Sequence, residues 1–236
     1  MIAQFVNAAT VIIGGLIGTI FGNRISEKYT KAIMTAIGLV TMVIGIQSAI
    51  VTSNILIVII CLILGTLLGT ALRVEDGLNY SGDFIKKKLE KTKFGKGPFT
   101  DAFVTSTMLF CVGTMTILGS IQAGLNKNYE IILTKSILDL VSSVAFSSAL
   151  GAGVIFAAIP VIVIQGGITL LAGFLEPFLT AQVVTEMSAV GGVLLIGMSI
   201  NLIGLREEKV RVGDMLPAIF IPAIYFPIAN FISGLL

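Results

Sequence analysis

Six stretches of this chain carry no formal charge: 1–23, 32–72, 102–126, 140–175, 187–205 and 215–236. Each is as long as the roughly 18–20 apolar residues that cross a bilayer core as a helix. One soluble core cannot bury six such runs in 236 residues. Only 12% of the residues are charged, against about a quarter in a soluble domain, and the mean hydropathy is +1.03. These features exclude a soluble enzyme, a secreted disulfide scaffold and a disordered chain. Backbone polar groups must pair internally in lipid, and the short alternating segments of a barrel are missing, so the spans are helices. The fold class is an all-α polytopic membrane bundle.

The six runs divide into eight spans. The 41-residue run 32–72 is twice a crossing, and Thr52-Ser53-Asn54 near its middle reads as a turn. Gly151-Ala152-Gly153 divides the next long run. The expected spans are 4–22, 32–50, 55–72, 102–122, 131–150, 154–174, 187–204 and 215–235, all in one transmembrane domain. The first charge, Arg24, follows the first apolar run, so that run reads as a span and not as a cleaved signal. On this count 13 of the 15 basic residues fall in the loops after spans 1, 3, 5 and 7, leaving Lys127 and Lys135 elsewhere. Cytoplasmic loops collect Lys and Arg. That side is therefore expected to be the cytoplasm, with both termini outside. In the polar segment 73–97, Leu78, Ile85 and Leu89 recur above a row of lysines. This predicts a short amphipathic helix against the inner leaflet.

Chemistry-bearing residues are few. His is absent, and Cys61 and Cys111 are far apart inside apolar runs. No metal, redox, cofactor or phosphate-loop motif is present, and no catalytic residue stands out. A net charge of +2 gives no nucleic-acid footprint. The expectation is a non-enzyme without cofactor, whose partners are the bilayer and a small solute or ion. Ionisable groups within spans are costly and default to functional candidates. Lys135 and Asp139, four residues apart, can pair on one helix face. Ser143 and Ser147 continue that face, which is too polar for lipid. Gln47, Gln122, Gln165, Asn7 and Asn201 add side-chain amides within other spans, and Glu186 stands at the outer start of the seventh.

Glycines carry a second pattern. Gly14 and Gly18, and Gly65 and Gly69, are spaced for close helix contact, within the chain or in a homodimer. Gly38, Gly113 and Gly192 are each followed seven residues later by a small residue, Ile and a side-chain amide. Seven residues is about two turns, so each set is expected on one helix face. Ile12-Ile13-Gly14-Gly15-Leu16 aligns with Ile164-Gln165-Gly166-Gly167-Ile168 at an offset of 152, and Gly38 and Gln47 align with Gly192 and Asn201 at 154. These matches suggest an inverted repeat of spans 1–3 and 6–8 around spans 4 and 5, an architecture of secondary transporters. Pro217, Pro222 and Pro227 predict a broken eighth span.

The run Phe110-Cys111-Val112-Gly113-Thr114-Met115-Thr116-Ile117-Leu118-Gly119-Ser120-Ile121-Gln122 resembles the YqgA/YdfK family of bacterial inner-membrane proteins, a domain of unknown function. Asn7 with Ile12-Ile13-Gly14-Gly15-Leu16-Ile17-Gly18, Leu72-Arg73-Val74-Glu75-Asp76, Lys135, Asp139 and Leu216-Pro217-Ala218 extend the resemblance over nearly the whole chain. Ala3-Gln4 stands where that family is expected to carry Gly-Thr. The resemblance implies a bacterial inner-membrane location and a transport-like role, without a reaction or agreed site residues. Three functions fit the residues: a secondary carrier, a passive pore, or a membrane scaffold or assembly protein.

Overall fold

A computed structural model describes residues 1–22, 27–95 and 97–233. The protein is a multi-pass membrane helical bundle, and no strand occurs among the described residues. The helices are α1 (Ile2–Gly22), α2 (Glu27–Ala49), α3 (Ile55–Leu72), α4 (Val74–Leu89), α5 (Phe99–Cys111), α6 (Thr114–Leu125), α7 (Glu130–Leu150), α8 (Gly153–Phe156), α9 (Ala158–Leu170), α10 (Ala172–Leu175), α11 (Ala181–Ile203) and α12 (Ile221–Ser233). A 3-10 segment, Val212–Phe220, leads into α12.

Six segments are long and apolar enough to cross alone: α1, α2, α3, α7, α8 with α9, and α11. The expected fourth span, 102–122, is instead the pair α5 and α6, bent by 59° at Val112-Gly113. Gly113 therefore caps the start of α6, the helix that also carries Ser120, Ile121 and Gln122. The eighth span is discontinuous as its prolines require. Proline lacks the N–H that an α-helix needs, and the chain runs as 3-10 through Pro217 before turning α at Ile221.

Successive segments alternate in direction, which places chain ends on two faces. One face gathers the ends near Leu72, Phe99, Leu150, Ile203 and Val212. It carries Lys28, Lys31, Arg73, Lys86, Lys87, Lys88, Lys91, Lys93, Arg206, Lys209 and Arg211. Arg24 and Lys96, expected there too, lie outside the described residues. The opposite face gathers the turns around Thr52, Asn126 and Leu179 and carries Lys127.

The 73–97 segment does form an amphipathic helix, α4, but its apolar side is covered by protein. Gly82 seats on Thr100 and Phe103, and Leu78, Ile85 and Leu89 pack on the core. Tyr80 and Phe84 remain exposed on its other side, with the Lys88 ammonium 4.5 Å above the Phe84 ring.

Glycines set the tightest crossings. A Cβ on Gly14 or Gly18 would collide with the α7 backbone, and one on Gly65 or Gly69 with Ala218 or Asp214. These stripes are consumed by packing within the chain. Gly45 and Gly192 meet backbone to backbone where α2 crosses α11.

Candidate functional site

The break between α5 and α6 opens a cleft of about 250 Å³. Val112 and Gly113 are extended there, so the two helix ends do not satisfy each other's backbone groups. Thr116 Oγ1 returns one bond, donating to the Phe110 carbonyl at 3.0 Å, and Thr114 bonds Ser188 of α11. The first residues of α6, Thr114, Met115 and Thr116, line the cleft with the positive end of their helix. Ile44 and Ser48 of α2, Leu195 of α11 and Leu138 and Ser142 of α7 complete the wall with the Lys135–Asp139 pair.

That pair is the only ion pair buried on both sides among the described residues. Lys135 Nζ lies 2.7 and 2.6 Å from the two Asp139 carboxylate oxygens, and the residues are 7% and 5% exposed. Because α7 begins at Glu130, both residues sit inside the helix. The ammonium also stands 5.8 Å from the Phe110 ring. An unpaired charge at this depth would be prohibitive, so mutual neutralisation is what lets both remain there.

Behind the pair lies a buried layer of polar groups. Asn7 of α1 stands beside Asp139, yet neither atom of its amide has a hydrogen-bond partner within ordinary limits. Ser143, one turn along α7, is fully buried with its hydroxyl unpartnered. Across α1, Gln4 Nε2 donates to Thr169 Oγ1 of α9 at 2.7 Å, and that hydroxyl donates to the Ser120 carbonyl of α6 at 3.0 Å. One turn on along α9 lies Gln165, fully buried with both amide atoms unpartnered. Gln4 Oε1 and Ser120 Oγ are also unpartnered. Every one of these orphans faces the packing of α1, α6, α7 and α9. A buried polar atom without a partner costs on the order of 1–3 kcal/mol, so seven among these helices mark a place built for water or ligand.

Other expected site residues belong elsewhere. Ser147 is spent on packing, donating to the Gly15 carbonyl at 2.7 Å. Gln47 is exposed on α2 and does not line the cleft. Gln122 ends α6 and does not line the cleft. Asn201 braces the loop after α11, donating to the Val210 carbonyl and accepting from its amide, both at 2.8 Å. Glu186 is fully buried, and its carboxylate accepts from Thr52 Oγ1 at 2.5 Å, Ser53 N at 2.9 Å and Ser53 Oγ at 2.8 Å. It ties α11 to the turn between α2 and α3. These five residues do not converge with Lys135 and Asp139 because each sits on another helix face or at another level of the bundle.

A second cleft, of about 180 Å³, opens on the basic face between Glu75, Asn79, Asp101, Asn201 and Lys209. Met108 and Met198 line it, while their neighbours Leu109 and Leu195 line the first cleft. The two clefts share no lining residue. At its rim Asp214 Oδ1 accepts from Glu75 N at 3.0 Å and Glu75 Oε2 accepts from Gly213 N at 2.6 Å. This reciprocal pair caps α4 from across the chain, as a capping box does within one helix. Burial pushes the Glu75 carboxyl above its ordinary value, only partly offset by the Gly213 amide and Arg211. Burial also pushes the Asp214 carboxyl up, but the Glu75 amide and Arg211 outweigh it and hold it below its ordinary value.

Sequence reasoning missed the cleft itself. Its signal was Gly113 between two polar-flanked apolar runs, where Thr114 and Thr116 could take over backbone bonding.

A family model described as "Protein of unknown function (DUF554)" matches residues 2–227. The chain is 29% identical over 230 residues to "Uncharacterized membrane protein YdfK" of Bacillus subtilis (strain 168), covering 95% of each chain. It is 27% identical over 223 residues to "Uncharacterized protein YqgA" of Escherichia coli (strain K12), covering 94% of each. No solved structure matches.

Proposed function

The chain belongs to this family of unknown function, and from that premise we propose that it is a secondary transporter, a permease carrying a small solute or ion by alternating access. The observation that carries the reading is the buried Lys135–Asp139 pair in the wall of a cleft at a broken helix. Broken helices near mid-depth are where carriers hold their substrates. The two clefts, which share no lining residue, have the form of an outer and an inner access path. A passive pore requires one continuous path and is disfavoured by two separate clefts. A scaffold has no use for the unpartnered buried amides.

The crossing of α2 and α11 fits an inverted repeat and so supports the proposal. Ala181 and Ile203, the ends of α11, follow Glu27 and Ala49, the ends of α2, by the same 154 residues. Gly38 seats on Leu202 and Ile203, while Gly192 seats on Ser48 and Ala49. Shifting each residue by 154 turns the first contact into the second, as a two-fold axis through the crossing would. The basic face is the cytoplasmic one in this reading, and the N-terminus is outside.

The test is uptake by purified protein in liposomes. A carrier saturates and shows exchange stimulated by solute inside, and Asp139→Asn lowers uptake at least tenfold per molecule of folded protein reconstituted. Non-saturating flux, or equal uptake by Asp139→Asn, overturns the carrier reading.

A further inference from the structure

The Lys135–Asp139 pair is neutral as it stands, and the membrane interior demands that it stay so when the cleft is loaded. Both members of the pair line the cleft, and facing them it offers the positive end of α6, so that an anion entering it meets the Lys135 ammonium and that helix end. Next to the pair, Asn7 of α1 stands beside Asp139 and Ser143 follows it one turn along α7, both fully buried and without a partner within ordinary hydrogen-bond limits. These are the partners that a protonated carboxyl needs. The Asn7 amide can accept from an acid O–H and donate to its carbonyl, and the Ser143 hydroxyl can do either.

We infer that the cleft binds a small monoanion together with one proton: the anion replaces Asp139 on Lys135, and Asp139 turns to Asn7 and Ser143 as a neutral acid. The inference rests on the carrier reading and names its substrate class and coupling ion. The charges balance in both states. The empty site holds one ammonium and one carboxylate. The loaded site holds the ammonium, the anion and an uncharged carboxyl, with the proton drawn from the same solution as the anion. Transport by such a site is electroneutral, so a pH gradient drives it and a membrane potential does not. A dianion would leave one charge uncompensated, and an anion without its proton would leave the same excess. The cleft volume of about 250 Å³ admits a small organic anion with several waters.

No competing titration clouds the assignment. Among the described residues packed against α7, α1, α6 and α8 carry no titratable side chain, and α2 and α5 hold their charged residues at the basic end. Cys111 of α5 is the one further titratable group facing both Lys135 and Asp139.

The experiment is calorimetry on the purified full-length protein, with formate, nitrate and lactate as monoanion probes and glycine as a zwitterion. Repeating each titration in buffers of different ionisation enthalpy counts the protons taken up. The expected result is about one proton per bound monoanion near neutral pH, with affinity falling about tenfold per unit of pH above it. Asp139→Asn should bind the same probe with no proton uptake and no pH dependence, and Lys135→Met should not bind it. Asn7→Leu removes an orphaned amide and should fold at least as well as the parent. It should bind about tenfold more weakly, the loss of one hydrogen bond to the acid. Binding without proton uptake, glycine binding in place of the anions, unchanged affinity in Asn7→Leu, or no binding by any monoanion overturns the inference. Saturable uptake of another solute would then leave the carrier reading standing. Proton-linked binding without flux would remove the carrier reading and leave this one.

Discussion

Two helix crossings in this molecule are built on opposite principles. Where α3 meets the 3-10 segment, Gly65 and Gly69 let backbone touch backbone, and the polar groups at that corner, Glu75, Gly213 and Asp214, satisfy one another. Where α1 meets α7 and α9, glycines close only the basic-face half. The other half holds Gln4, Asn7 and Gln165 with unpartnered polar atoms, and Ser143, also unpartnered, lies at the boundary against Gly14. The first crossing is complete in itself and can serve as a fixed frame. The second is incomplete without water or ligand, and a contact whose polar groups await partners can change them at little cost. A transporter needs both kinds in one chain, and they are separated here by helix pair.

The contrast is broken most severely at the closed crossing. Gly69→Leu would place a side chain inside the Asp214 backbone, and no side-chain rotation relieves a clash with main chain. The expected cost is at least about 3 kcal/mol, seen as loss of monodisperse protein in size-exclusion chromatography. A variant that purifies with the parent's melting temperature would show that the corner is not a fixed frame.

Asp139→Asn comes next. It strands the Lys135 ammonium in the bundle at a cost of about 3–5 kcal/mol, read as a lower melting temperature. The double change Lys135→Met with Asp139→Leu should recover most of it, because the pair is retained for binding and not for stability. A double variant as unstable as the single one would count the pair as structural.

Gln165→Leu sharpens the open side. Both amide atoms lack partners, so the substitution should raise stability by about 1–2 kcal/mol. A fall of similar size would mean that ordered water already completes the amide.

The smallest effect is expected at the closed corner's carboxylate. Asp214→Asn should cost about 1 kcal/mol at neutral pH. A carboxyl held below its ordinary value stabilises the fold above that value, and the contribution disappears as pH falls through the folded value. The difference in melting temperature between parent and variant should therefore shrink in acid. Glu75, held above its ordinary value, works in the opposite sense and costs stability as pH rises. A gap between parent and Asp214→Asn that widens in acid would contradict the assignment.

Much of the fold is legible in the chain because lipid burial imposes long local signals. The turn at Thr52-Ser53-Asn54, the proline-broken final segment and the α4 helix all follow from runs of adjacent residues. The candidate site was legible only in part. Lys135 and Asp139 declare themselves by spacing, since residues four apart share a helix face. Glu186 carries the same signal of a charge inside a span, yet it is consumed by Thr52 and Ser53, more than a hundred positions away. Gln47 and Gln122 carry the same signal as Gln165, and only the packing separates an exposed amide from a buried one.

The sequence by itself determined the membrane class, the alternation of apolar segments and the single basic face, because hydropathy and charge act residue by residue against lipid and water. The tertiary structure alone decided that the Phe110–Gln122 run bends at Gly113. It also decided that Asn7 stands beside Asp139, that Ser143 is buried without a partner, and that the glycine stripes close on their own chain. Those outcomes depend on which helix faces which, and that is settled by interlocking surfaces that no local pattern encodes.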